Sequence, residues 1–310
     1  MTIKTLYILF FLLLPISLLS GNDRYDLSSF QFLKVQPTAR NAALENAGTS
    51  LYGSIENLSS NPAGIFFPGQ MEFSMHYMNW LHEIHYTSLA YGIRLDDSSI
   101  LGFGVLGLFY GDIPVVNFNS SGELSETGNT SAYDFAFSAC YHRRLTGMIS
   151  SGVSLKVLYE QIEKERATGL ALDTGVLIHL MDNKLNLGLA VLNIGPEIKF
   201  SGKKDDLPLS VNTGISVKLI QQKEHSGLIA LDMIYPNDEK MKTRLGIEYG
   251  LMDLFFGRAG YQTGDDLSTW SIGCGLKLKI GSKVIRADYT YLPRSELNNT
   301  HIIGLVIGLN

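Results

Sequence analysis

From about Gln70 to the last residue, apolar and polar or small side chains alternate in stretches of about ten residues. Tyr133, Phe135, Phe137, Ala139 and Tyr141 alternate with Asp134, Ala136, Ser138, Cys140 and His142. A period of two gives a strand with two unlike faces. The same reading fits Val153, Leu155, Val157 and Tyr159 against Ser154, Lys156 and Glu160, and Leu209 to Leu219 against Ser210 to Lys218. It fits Trp270–Ile280 as well, with Lys277 and Lys279 on the second face. The pattern predicts strands at 71–79, 84–94, 99–111, 130–142, 147–160, 168–180, 184–194, 208–220, 226–235, 241–250, 254–263, 268–280, 283–291 and 300–309. That is an even number of strands of about ten residues, the signature of an outer-membrane barrel.

The links support the same reading. Every second one is tight: Leu95–Ser98, Arg143–Thr146, Met181–Asn183, Gln221–His225, Leu251–Asp253 and Gly281–Ser282. The others include the three longest, Asp112–Asn129, Gly195–Leu207 and Leu292–Asn299. Short turns on one side and long loops on the other is the periplasmic and extracellular asymmetry of such barrels. By the same parity, the pre-barrel segment and Asn310 belong on the periplasmic side.

Ahead of the strands the texture differs. Lys4 precedes an apolar run from Thr5 to Leu19, and Ser17, Ser20 and Gly21 supply small residues. Residues 1–21 therefore read as a secretory signal peptide. Residues 22–70 mix short apolar pieces with small residues and lack the apolar mass for a core. Thr38 is placed to cap a helix over Ala39–Ala47 that Gly48 ends, and Asn61 followed by Pro62 is a cap with proline at the first helical position. A barrel of 14 strands encloses a lumen too wide for its own side chains to fill. The expected organisation is all-β: a 14-stranded antiparallel transmembrane β-barrel over 71–310, with 22–70 as an N-terminal plug, or hatch, in the lumen.

Charge sharpens this picture. The charged fraction is 18%, below the roughly 25% of soluble chains, and a net charge of −5 excludes a nucleic-acid partner. The polar face of the strands collects Glu72, Arg94, Asp134, Lys156, Glu160, Asp173, Lys218, Asp232, Arg244, Glu248, Arg258, Lys277, Lys279, Arg286 and Asp288. A lipid-facing Lys or Arg at mid-bilayer costs about 2–4 kcal/mol, so a bilayer enforces this segregation, and outer-membrane lipid is the expected surroundings. Parity puts Cys140 on the polar face and Cys274 on the apolar one, so they are expected to stay unpaired. Gly102–Gly107 satisfies a dinucleotide-binding string, but it lies inside a strand. His82-Glu83-Ile84-His85 is one residue short of the zinc-protease pattern and falls at a hairpin tip. No nucleophile elbow is present. No enzyme activity, metal or cofactor is expected.

An ordered set of short motifs resembles the PorV/PorQ family of outer-membrane proteins, relatives of the FadL-type barrels, with a spirochaetal branch. The residues are Phe32-Leu33, Ala39-Arg40, Ala47-Gly48, Asn61-Pro62-Ala63-Gly64, Asn79-Trp80 and Tyr110-Gly111-Asp112, then Tyr159–Ile162, Asn193–Pro196, Phe200–Gly202 and Leu207-Pro208. The chain departs from many such barrels in ending Leu309-Asn310 without a terminal aromatic. The resemblance implies a FadL-like channel in the cell outer membrane that takes up hydrophobic small molecules such as long-chain fatty acids past a hatch bearing Arg40, Asn61, Pro62, Ala63 and Gly64. Arg40 is then expected to pair with a lumen carboxylate, Glu72 or Glu248. The long loops are expected to form the mouth, with Phe118 and Ile198 as apolar contacts and His76, Arg94, Arg244 and Glu248 as further ligand-binding candidates. Other members of the family serve type IX secretion, which gives a second reading: a scaffold that binds secretion-system proteins and transports no small molecule.

Overall fold

A computed structural model describes residues 28–310 except 81–82, 119–123, 201, 265–268, 295–298 and 310. The signal-peptide expectation and the first hatch residues, 22–27, lie outside the described residues. The strands are β1 (Met71–Asn79), β2 (His85–Arg94), β3 (Ser99–Phe118), β4 (Leu124–Arg144), β5 (Ile149–Ile162), β6 (Glu165–Leu180), β7 (Leu185–Ile194), β8 (Ile198–Phe200), β9 (Lys203–Asp205), β10 (Ser210–Gln221), β11 (His225–Pro236), β12 (Lys242–Leu251), β13 (Phe255–Thr263), β14 (Trp270–Ile280), β15 (Lys283–Leu292) and β16 (Thr300–Leu309). All except β8 and β9 form one closed barrel in which each strand pairs with its sequence neighbour, and β1 closes on β16. That is 14 antiparallel strands, and Met71 opposite Leu309 marks the seam.

Alternation along each strand divides the wall as the sequence does. Phe103, Phe137, Leu155, Leu170, Ile247 and Ile303 are exposed on the outside, a surface that hydrocarbon solvates and water does not. Glu72, Asp134, Lys156, Asp173, Asp232 and Asp288 are buried on the inside. Cys140 is buried and Cys274 exposed, both free, as parity predicts.

Two links differ from expectation. Asp112–Asn129 is not an open loop: β3 and β4 continue as a paired ribbon to Phe118 and Leu124. The ladder skips from Phe109 to Asp112, with Gly111 at φ +70. Such a bulge shifts the two-residue alternation while hydrogen bonding continues beyond it, so the periodicity ends before the strand does. In the link after β7, β8 and β9 form a small hairpin with Gly202 at φ +90 in its turn.

The segment from Ser28 to Gln70 runs through the barrel interior. Its last residue lies at the end with the short turns, where Gln70 N–H donates to Leu309 O at 2.7 Å. Its first residues lie at the opposite, loop end, where Ser28 Oγ donates to Asp238 at 2.5 Å. Parity places the segment on the short-turn side as a plug in the lumen; its reach across to the loop end goes beyond that expectation, because an uncored segment buries its apolar side chains only by lining up along the wall. The helix expected over Ala39–Ala47 spans only Ala39–Ala42, and Thr38 stands at its N-cap without a side-chain bond. Glu45 and Asn46 adopt left-handed φ values of 50 and 57, and Asn46 N–H closes onto Asn41 O at 2.7 Å. This is a Schellman-type stop supplied by asparagine ahead of Gly48.

Candidate functional site

The lumen has three levels, each assembled from the interior segment and the wall. At the loop end lies an apolar layer. Tyr86, Met78, Leu108, Leu158 and Ile302 enter it from the wall, Ile198 and Leu207 from the link after β7, and Phe30 and Phe32 from the interior segment. The two phenylalanine rings are 6.2 Å apart, and Tyr86 Oη donates to Phe32 O at 2.8 Å. Above this layer a clasp holds the segment. Asp238 accepts from Ser28, from Gln31 at 3.1 Å and from Lys34 at 2.6 Å, and Lys34 also reaches Glu239 at 2.6 Å. Burial works against both carboxylates, but the hydrogen bonds from Lys34, with Ser28 and Gln31 on Asp238 and Lys242 on Glu239, outweigh it and hold both below their ordinary pKa values.

The middle level is a charge relay that fixes the segment to the wall. Arg40 grips Glu248 through two hydrogen bonds of 2.8 and 2.9 Å. Glu248 accepts from Arg258 at 2.6 Å, Arg258 reaches Asp288 at 2.6 Å, and Asp288 accepts from Arg286 at 2.6 Å. Arg286 then meets Glu56 of the segment, which faces His76 Nε2 at 3.2 Å. Glu72 accepts from Ile55 N–H at 2.7 Å and Ser54 Oγ at 2.8 Å, and Asp232 accepts from Thr49 N–H at 2.8 Å.

The Asn61–Gly64 turn belongs to this level. Asn61 Oδ1 accepts from Ala63 N–H at 2.9 Å, and its Nδ2 donates to Thr49 O at 2.7 Å. Pro62 stands first in the short 3-10 turn. The wall is cut away to admit it: a Cβ on Gly175 would strike Asn61 Oδ1, and one on Gly152 would strike the Pro62 carbonyl.

At the short-turn end the lumen opens into two cavities of about 350 Å³ each, which share Arg40, Tyr52, Glu248, Asp253 and Lys277. Tyr52 stacks on Phe66 at 4.8 Å and meets the edge of His179 at 4.5 Å, while Arg94 lies over Phe66 at 5.2 Å.

The residues singled out in the sequence therefore do not converge on one chamber. Ile198 lies in the apolar layer. His76 and Glu248 belong to the middle level, with Arg40 on Glu248 and not on Glu72. Arg94 is at the short-turn end, where it donates to Phe67 O. Arg244 donates to Gln262 at 3.1 Å beside a small cavity of about 70 Å³. Phe118 pairs with Leu124 at the ribbon tip, not in an open mouth loop, and its side chain lies outside the described residues. Sequence reasoning gave no site role to Phe30, Phe32 or Asp238, although Phe32 belongs to one of the motifs that carry the resemblance. The two aromatics in a segment without its own core were the available signal; for Asp238, 210 residues from Ser28 in sequence, there was none.

No family model matches the chain, and no curated protein matches it. Among solved structures, the toluene transporter TodX of Pseudomonas putida superposes with a TM-score of 0.59 at 13% identity, over 87% of this chain and 96% of that one. A ΔS2S3 mutant of the TodX monoaromatic hydrocarbon channel gives a TM-score of 0.59 at 14% identity, over 87% and 97% of the two chains. At such identity the likeness is one of fold alone, that of the closed 14-stranded barrel.

Proposed function

We propose that the chain is an outer-membrane channel for hydrophobic small molecules, with residues 28–70 as the hatch and the long-link end facing outside the cell. The observation that carries this reading is the apolar layer at the loop end, which the wall leaves open and the chain's own Phe30 and Phe32 occupy. A barrel that needed only rigidity would fill this space from its strands. A removable segment, held by a clasp and a charge relay, keeps an apolar chamber dry until a ligand of similar shape takes its place. An apolar molecule crosses a polar layer only where such a surface replaces water. The TodX structures share the fold and are channels for toluene and monoaromatic hydrocarbons, which supports the same class here.

Full-length protein reconstituted in vesicles tests the reading. Toluene and a long-chain fatty acid are offered, binding and uptake are measured, and Phe30→Ala is compared with wild type. Binding by the wild type, changed by Phe30→Ala, supports the channel. Absence of binding together with co-purification of secretion components favours the scaffold that the PorV/PorQ resemblance allows.

A further inference from the structure

Within the apolar layer the wall carries two carboxyl groups. Asp134 on β4 and Glu160 on β5 are direct cross-strand partners, and strand alternation turns both into the lumen, between Ala136, Leu158 and the Tyr86 ring. Asp134 is 3% exposed. Tyr110 Oη donates to its Oδ2 at 2.8 Å, and its Oδ1 accepts no hydrogen bond. Neither carboxyl has an ion-pair partner among the described residues; Lys156, farther along β5, is committed to Asp173 at 2.6 Å and Asn193 at 2.8 Å. Like charges directly opposite on a sheet are destabilising, and a buried acceptor without a donor costs more than one left in water.

The hatch faces Glu160 with the backbone N–H of Phe30, whose ring shares the space over Gly169 with Ile198. The chain itself thus presents to the carboxyl pair an aromatic ring with an N–H donor beside it. We propose that the loop-end chamber selects apolar molecules bearing a protonated amine, with Asp134 and Glu160 accepting the ammonium hydrogens and the apolar body taking the place of the Phe30 ring. An ammonium group brings three donors and the charge that the pair lacks, through charge-assisted hydrogen bonds of the stronger kind. A fatty-acid head brings a third carboxylate to the same point. This inference rests on the channel reading and names its ligand class.

The test uses three probes of one shape, 4-phenylbutylamine, butylbenzene and 4-phenylbutyrate, in equilibrium binding to the full chain held in amphipol. The amine is expected to bind about tenfold tighter than the hydrocarbon, and the acid more weakly than either. Asp134→Asn with Glu160→Gln is expected to erase the amine preference and leave butylbenzene binding in place. Heat-modifiable gel migration checks that the variant barrel is closed; if the double variant fails to close, Glu160→Gln alone is expected to reduce the preference. Butylbenzene binding without an amine preference in wild type, or a preference that survives in a closed variant, overturns the inference while the channel reading stands. Failure of all three probes to bind overturns both.

Discussion

Removing the Arg40 grip on Glu248 is the sharpest perturbation of the hatch. Arg40→Met keeps the aliphatic stem and deletes two charge-assisted hydrogen bonds of 2.8 and 2.9 Å between side chains that are 14% and 12% exposed. Breaking a buried pair by removing one partner costs about 3–5 kcal/mol. Glu248 keeps Arg258 at 2.6 Å, so its charge is not stranded, and the cost here is about 2–3 kcal/mol. Glu248→Gln is worse, because it removes the charge that Arg40 and Arg258 share and puts an amide NH2 donor where one accepting oxygen stood; Arg258 keeps Asp288 at 2.6 Å, and the cost is about 3–5 kcal/mol. At about 1.4 kcal/mol per decade, Arg40→Met raises local opening of the hatch roughly 30- to 150-fold. Hydrogen exchange reads this at the Ala42 and Ala43 amides, which donate to Thr38 O at 2.9 Å and Ala39 O at 3.0 Å, with the strand amides as internal reference. The double variant is expected to show strong coupling, since both changes break one contact. Protection at Ala42 and Ala43 that stays within threefold of wild type in both single variants refutes the claim that this pair seats the hatch.

The clasp is set by carboxylates held below their ordinary pKa values, so its contribution is fully present above about 3.9 to 4.3 and is lost as pH falls through the lower folded values of Asp238 and Glu239. Exchange at the Ser29 amide, bonded to Asp206 O at 2.9 Å, should therefore stay slow at pH 6 and quicken only below about pH 4; opening at pH 6 contradicts the assignment. Gly175→Val is expected to unseat the Asn61 turn and lower the melting temperature. Asn61→Ala alone should cost about 1–3 kcal/mol and should make Gly175→Ala better tolerated, read as a positive coupling in thermal melts. Leu155, 63% exposed on the outer face, is expected to lose about 2–4 kcal/mol of vesicle-folded stability on change to Arg, whereas arginine in place of a solvated residue such as Lys203 is neutral.

What the chain settles by itself is the wall. A bilayer outside and a polar lumen inside impose opposite demands on successive side chains, so Tyr133 to His142 announces its two faces without reference to any distant residue. The short links between such runs then give the count and the asymmetry. Period two fails only where the backbone steps out of it, as at the Tyr110-Gly111 bulge, and there the ribbon reaching Phe118 was read as loop. Helix signals in the interior segment were overruled in the same local way, by Asn41 and Asn46 closing the turn early. What only the tertiary structure decided is the contents of the barrel. Arg40 and Glu248 are 208 residues apart, and choosing Glu248 over Glu72 depends on strand register and on the depth at which the hatch sits. The facing of Asp134 and Glu160 depends on register as well, since a slip of one residue would turn one of them into lipid. Alternation is written into each strand because each strand meets the same two solvents. Pairing across the lumen is a property of the closed cylinder, which brings together residues that share no local pattern.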